Sequence, residues 1–191
     1  ILTQLPLPPH INEFEVSSSI HEDKDVDVFN PKNIGKLILG KSRLTPCTPF
    51  GIIKMLEYSK ISVEGKNCVV IGRSNIVGKP MAHLLTQKNA TVTLCHSKTQ
   101  NISDICKNAD IIICAVGKPK FLTSDMVKKD TVVVDVGINR TTKGIVCGDV
   151  DFENVSKVAS YITPVPGGVG PMTIAMLMKN TVIATKIQNN K

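Results

Sequence analysis

Two glycines, an arginine and a serine follow directly on a short, mostly β-branched apolar run in residues 67–80, NCVVIGRSNIVGKP. Gly72 and Gly78 bracket a turn between that run, 68–71, and an apolar helical pattern opening at 81–85. The spacing suits phosphate binding: glycine lets backbone approach an anion without a Cβ in the way, and a helix start offers N–H groups and a positive dipole end. Arg73 follows the first glycine and Ser74 stands where GxGxxG has its second, so an ordinary strand-to-helix turn competes with a dinucleotide site on these residues alone. A second strand pattern, 90–95, runs into His96, Ser97, Lys98 and Thr99, with no carboxylate there to accept a ribose 2′-hydroxyl. Arg73 and Ser97 suit a 2′-phosphate instead, because a guanidinium matches phosphate oxygens where Asp or Glu would repel them. The cofactor expected is NADP rather than NAD. The competing reading leaves Arg73, His96 and Lys98 as solvated loop residues of a basic protein.

Such a turn needs a sheet to aim it. Segments 67–72, 90–95, 110–115 and 131–136 read as continuous apolar strands, separated by helical patterns at 79–88 and 102–108. That alternation predicts an α/β, Rossmann-type parallel sheet covered on both faces, with ligands at the strand tips, here 114–119 and 135–139. Before it the chain is more broken: a strand candidate at 1–5, halted by Pro6, Pro8 and Pro9, then helices at 31–39 and 49–59. At the other end 171–187 predicts a long apolar helix rich in Ala, Met and Thr. The loop before it, 163–171, is too rich in Gly and Pro for regular structure and too poor in charge for a solvated linker. It reads as a ligand floor or as a packed interdomain turn.

Composition fits a ligand-binding enzyme better than a nucleic-acid binder. The 191 residues carry a formal charge of +7, but Lys and Arg are scattered and only five Phe and two Tyr could stack on bases. Six cysteines occur without a CxxC pair, three of them in apolar strand patterns, which predicts reduced thiols, no metal site and a cytoplasmic setting, with the mitochondrion as the other candidate. No apolar run approaches the ~18 residues of a membrane span. The chain opens inside an apolar run without Met, as though cut from something longer.

Eight motifs occur in order: Gln4–Pro8 (QLPLP), Lys24–Asp27 (KDVD), Pro46–Pro49 (PCTP), Gly72–Ser74 with Val77–Pro80, Cys95–Thr99 (CHSKT), Asp135–Asn139 (DVGIN), Gly148–Val150 (GDV) and Pro164–Thr173 (PVPGGVGPMT). Together they closely resemble the methylenetetrahydrofolate dehydrogenase/cyclohydrolase family, over nearly the whole chain, and the last is highly specific. The resemblance implies a remnant of an N-terminal α/β catalytic domain (1–48), an NADP-binding Rossmann domain (49–162), and a folate-site loop with a C-terminal helix packing back on the first part (163–191). It implies oxidation of 5,10-methylenetetrahydrofolate with NADP, then water addition to give 10-formyltetrahydrofolate, in a homodimer formed through the Rossmann domain. Membranes and nucleic acid are not expected as partners.

Carried over by motif, Gln4 resembles the glutamine that tunes the family's catalytic lysine, and Asp27 the carboxylate that anchors the pterin through its N–H donors. Both are expected to act in catalysis and, with Thr3, Leu5, Pro166, Gly167, Gly168 and Gly170, in substrate binding. Gly72, Arg73, Ser74, Ser97 and Ile138 look like cofactor contacts, with Thr48 and Thr173 at the junction.

Two departures stand out. The family's catalytic lysine sits in Tyr-x-x-x-Lys, and neither Tyr58 nor Tyr161 has Lys at the fourth position after it. The family usually has glycine after the pterin-binding aspartate, where this chain has Val28. If that position needs a positive φ, valine strains the loop or displaces Asp27; in an extended conformation valine is at home. Three expectations follow: part of a working bifunctional enzyme, favoured; a truncated pseudoenzyme that binds NADP or a partner without turnover; or a reductase of another Rossmann lineage, such as the shikimate dehydrogenase type.

Overall fold

The computed structural model describes residues 1–140 and 144–189. Its centre is a five-stranded, wholly parallel sheet built from β1 (Asn67–Ile71), β2 (Thr91–Cys95), β3 (Ile111–Cys114), β4 (Val132–Asp135) and, after a two-stranded ribbon of β5 (Asn139–Arg140) and β6 (Val146–Cys147), β7 (Tyr161–Ile162). The spatial order is β2-β1-β3-β4-β7, so the chain reverses direction across the sheet between β1 and β3. A crevice at the carboxyl ends of those two strands is where such sheets take ligands.

The strands form because their side chains alternate between two apolar layers. On one face Cys68, Val70, Ile111, Ile113 and Val134 pack against α3 (Cys47–Tyr58) and α4 (Gly78–Gln87). On the other, Val69, Ile71, Ile112, Cys114 and Val133 pack against α5 (Ile102–Lys107), the short turn Ser124–Met126 and α6 (Phe152–Val155). Burial on both faces explains why β1, β3 and β4 read as continuous apolar runs, whereas the edge strand β2 alternates.

The N-terminal region adds α1 (Glu13–Ser19) and α2 (Pro31–Ile38), and the chain closes with α7 (Val169–Asn189). A smaller core of Val26, Val28, Leu44 and Ala184 joins the first 45 residues to α7. Near the start of α7 the backbone runs so close to α3 that a Cβ on Gly51 would stand 3.1 Å from that of Met172. Pro171, third in α7, lies in the first turn, where its missing N–H is not needed.

One expectation fails here, and one helix appears that none anticipated. Residues 1–5 do not form a strand: a strand needs a ladder partner, and among the described residues neither sheet pairs with them. Helix α1 went unread, although Asn12 and Glu15 signal it. Asn12 Oδ1 accepts from the Phe14 and Glu15 N–H groups, and its Nδ2 donates to Glu15 Oε1 at 3.2 Å.

Candidate functional site

At the tips of β1 and β2 the register pairs Ile71 with Cys95, so Arg73 and Ser97 both lie two residues beyond the last rung. Both are exposed, and Arg73 makes no hydrogen bond or ion pair with a described residue. Gly72 (φ 120°) and Gly78 are required, but by the protein's own packing. A Cβ on Gly72 would stand 2.0 Å from the Ala115 carbonyl oxygen, and one on Gly78 1.9 Å from that of Gly72.

The start of α4 also differs from expectation. Ser74 Oγ accepts from the N–H groups of Val77 and Gly78, and the Ser74 carbonyl from Lys79, while residue 80 is proline. The first-turn N–H groups are therefore already satisfied within the protein, whereas the sequence had suggested them open to a phosphate. Exposed Arg73 and Ser97 retain free side-chain donors there, as does the neighbouring Lys98.

The neighbouring strand tips are pinned by two buried aspartates. Asp149 accepts from the N–H groups of Val116, Gly117 and Lys118 at 2.7–2.9 Å and from Asn139 Nδ2 at 2.8 Å. Asp135 accepts from Gly137, Asp149 and Val150 at 2.9–3.0 Å. Burial pushes the Asp135 carboxyl up, and those three N–H groups pull it back. Gly137 and Gly148 make room for these carboxylates, since a Cβ on either would fall within 2.5 Å of one. Both aspartates lie in motifs read from the sequence, but their roles are set by long-range contacts; an Asp beside Gly at a strand tip is the one local signal of them.

A cavity of about 400 Å³ opens where the N-terminal segment, the tip of β4 and α7 meet. Thr3, Gln4, Leu5, Asp27, Thr48, Ile138, Gly170 and Thr173 line it, among apolar walls that include Phe29, Ile76 and Leu177. Pro166, Gly167 and Gly168 lie next door, in a hollow of about 170 Å³ that shares Ile138 and Gly170 with it. The hydroxyls of Thr48 and Thr173 are 3.0 Å apart and tie α3 to α7 at the junction. Gly72, Arg73, Ser74 and Ser97 line neither space, and Gln4 donates only to the Leu5 carbonyl next to it.

Asp27 is half-buried and faces this cavity. Desolvation pushes its carboxyl above the usual carboxylate range, with the nearby Cys47 thiol opposing and Asp25 reinforcing the shift. The loop holding it is built by Asp25, which accepts from the Phe29 and Asn30 N–H groups and from Asn33 Nδ2 at 2.9–3.1 Å. Within that loop Val28 has φ 64°, so the positive-φ reading holds. The companion expectation, a displaced carboxylate, does not: Asp27 still lines the cavity, and the Val28 side chain is wholly buried in the small core.

With this geometry in view, the chain's relatives can be named. Residues 46–189 match the family described as tetrahydrofolate dehydrogenase/cyclohydrolase, NAD(P)-binding domain. The chain belongs to this family. It is 62% identical over 194 residues to the bifunctional protein FolD of Caldicellulosiruptor saccharolyticus, covering 99% of this chain and 69% of that protein. The FolD of Acetivibrio thermocellus is 59% identical over 188 residues, 98% of this chain and 66% of the relative. Among solved structures, the Campylobacter jejuni bifunctional FolD superposes with TM-score 0.95 at 56% identity, covering 97% of this chain and 66% of that one. The Trypanosoma brucei FolD, complexed with NADP and an inhibitor, gives 0.93 at 40% identity, covering 98% and 67%. The chain thus spans about two thirds of the length of these relatives. Shikimate dehydrogenase of Aquifex aeolicus, at 18% identity and TM-score 0.52 over 76% of this chain and 56% of that one, shares the fold alone.

All six cysteines are free, five of them buried, and the described residues hold no cluster able to bind a metal. No described helix is long and apolar enough to cross a membrane.

Proposed function

We propose that this chain supplies the NADP site and one wall of the folate site of a methylenetetrahydrofolate dehydrogenase/cyclohydrolase. The observation carrying the reading is the cavity that gathers Gln4, Asp27, Thr48, Ile138, Gly170 and Thr173 from across the sequence, beside the tips of a Rossmann sheet. Bound NADP supplies the hydride acceptor. Exposed Arg73 and Ser97 fit its 2′-phosphate by charge-assisted hydrogen bonds, and Gly72 and Ser74 shape the turn that presents Arg73. Thr48, Thr173 and Ile138 border the space between the two ligands.

On the folate side, Asp27 accepts from the pterin N–H donors, and the apolar walls exclude water around the reacting carbon. Thr3, Gln4 and Leu5 form one side of that pocket, with Pro166, Gly167, Gly168 and Gly170 as its floor. Hydride transfer is mainly a positioning task, and this chain's residues perform it by holding two rings in contact. Water addition also needs a proton-transfer group. The family's Tyr-x-x-x-Lys does not occur in these 191 residues, so they do not themselves supply the lysine that Gln4 would tune. Division at 48/49 and 162/163, a homodimer formed through the Rossmann domain and a cytoplasmic location complete the reading.

Calorimetric titration of the chain with NADP and NAD tests it. NADP binds more tightly, and Arg73→Ala weakens NADP by about 1.5–3 kcal/mol while leaving NAD unchanged, the loss expected for a charge-assisted pair. Equal affinities, or an unaltered preference in Arg73→Ala, would overturn the cofactor assignment.

A further inference from the structure

Asn180 lies in the middle of α7, fully buried, far along the chain from every residue of the cavity's N-terminal wall. Its Nδ2 donates to the carbonyl of Val26 at 2.8 Å and to that of Thr45 at 2.7 Å, and approaches Cys47 Sγ at 3.5 Å. Both N–H bonds are spent on backbone.

Those two carbonyls are not equivalent bystanders. The bond from Val28 N to Asp25 O, 3.3 Å, closes a four-residue turn whose central peptide joins Val26 to Asp27. Rotation of the central peptide is the soft motion of such a turn, and it changes φ of the third residue, here Asp27. The Val26 oxygen, the handle on that peptide, is held by Asn180 and by the Cys47 thiol at 3.4 Å. On the far side Asp25 fixes the N–H groups of Phe29 and Asn30. The Thr45 carbonyl lies just ahead of Cys47 and Thr48, which line the same cavity as Asp27.

We propose that Asn180 is a positioning residue: from α7 it locks the peptide preceding Asp27 and fixes the Asp27 turn at a set distance from the Cys47–Thr48 turn, so that the carboxylate is aimed into the folate pocket. The proposal rests on the reading of Asp27 as the pterin anchor, but the geometry it describes exists without ligand. A side chain with one donor satisfies one carbonyl; a side chain with none leaves the Thr45 carbonyl without this donor and the Val26 carbonyl to the weak Cys47 thiol alone, so the peptide turns more freely.

The test uses the 191-residue chain, with Asn180→Ala and the conservative Asn180→Ser, which keeps one donor. The first readout is the ¹³C NMR titration of the Asp27 carboxyl, whose titrating neighbours are Asp25 and Cys47. In Asn180→Ala its midpoint falls toward that of an ordinary carboxylate as water reaches the loosened turn, while NADP affinity, read as a check on folding, stays within about twofold; Asn180→Ser restores most of the wild-type titration. If Asn180→Ala does not fold, Asn180→Ser is read alone and must lie between wild type and an ordinary carboxylate. An Asp27 titration identical to wild type in a folded variant overturns the proposal. The second readout, in the enzyme carrying the lysine, is kinetic: Asn180→Ala raises KM for methylenetetrahydrofolate about tenfold, with KM for NADP unchanged. A moved titration with unchanged folate KM would leave the clamp standing and refute the pterin role of Asp27, so the two failures are distinguishable.

Discussion

Substitution at position 28 separates backbone strain from side-chain burial. Val28 has φ 64° and no exposed surface, packed with Val26, Leu44 and Ala184. Shortening it to alanine removes two buried carbon groups, about 1.6 kcal/mol of transfer free energy, plus a cavity term that brings the loss to about 2–3 kcal/mol. Alanine keeps a Cβ in the left-handed region and so recovers little of the strain, which costs on the order of 1–3 kcal/mol for a bulky residue. Glycine removes the strain altogether, at a cost of one more buried carbon and greater freedom in the unfolded chain. With the strain at the upper end of its range, about 3 kcal/mol, stability is therefore expected to fall by about 2–3 kcal/mol in Val28→Ala and by only about 1 kcal/mol in Val28→Gly. The order is non-monotonic in side-chain size. Urea unfolding of the three chains, followed by far-ultraviolet circular dichroism at unchanged m-value, measures it. If burial alone governed the site, glycine would be the least stable of the three, below alanine by about 1–2 kcal/mol, and that result would refute the strain argument.

The remaining predictions concern the turn and the cavity. Gly72→Ala brings a Cβ to 2.0 Å from the Ala115 carbonyl at φ 120°, so the loss in urea unfolding should be about 3 kcal/mol or more, and a loss under about 1 would show that the β1 and β3 tips can separate. Asp27 has its carboxyl raised by burial, so its protonated form is favoured in the folded chain: the associated stability is present below the ordinary carboxylate value and is lost as pH rises through the raised folded one. Asp27→Asn should thus melt higher than wild type near pH 7, with the gap closing as pH drops below about 4. The same variant should lose folate affinity in the intact enzyme, and a lower melting temperature at neutral pH would contradict the desolvation argument.

The sheet was legible because its information is local. Runs such as Ile111–Cys114 and 132–134 are apolar at every position, as a strand covered on both faces requires, and the helical patterns at 79–88 and 102–108 point to parallel crossovers between the first three strands. The eight ordered motifs carried the family for the same reason, each being a contiguous string. The positive φ at Val28 was legible as a question, since its usual glycine was missing.

What the sequence could not contain was the reason behind several of its own signals. Gly72 and Gly78 read as space for a phosphate; only the packing of the β1 and β3 tips and the close approach of α4 reveal that the protein's own carbonyls occupy that space. Residues 1–5 have strand-like composition, but a ladder is a relation between segments, and none forms with them among the described residues. The long-range clamps, Asp149 on residues 116–118 and Asn180 on the carbonyls of Val26 and Thr45, span from about 30 to more than 150 positions. Composition and periodicity fix which segments bury themselves, because burial depends on side-chain type along one segment. Which polar group meets which carbonyl depends on how those segments are stacked, and that is decided only when the tertiary structure closes.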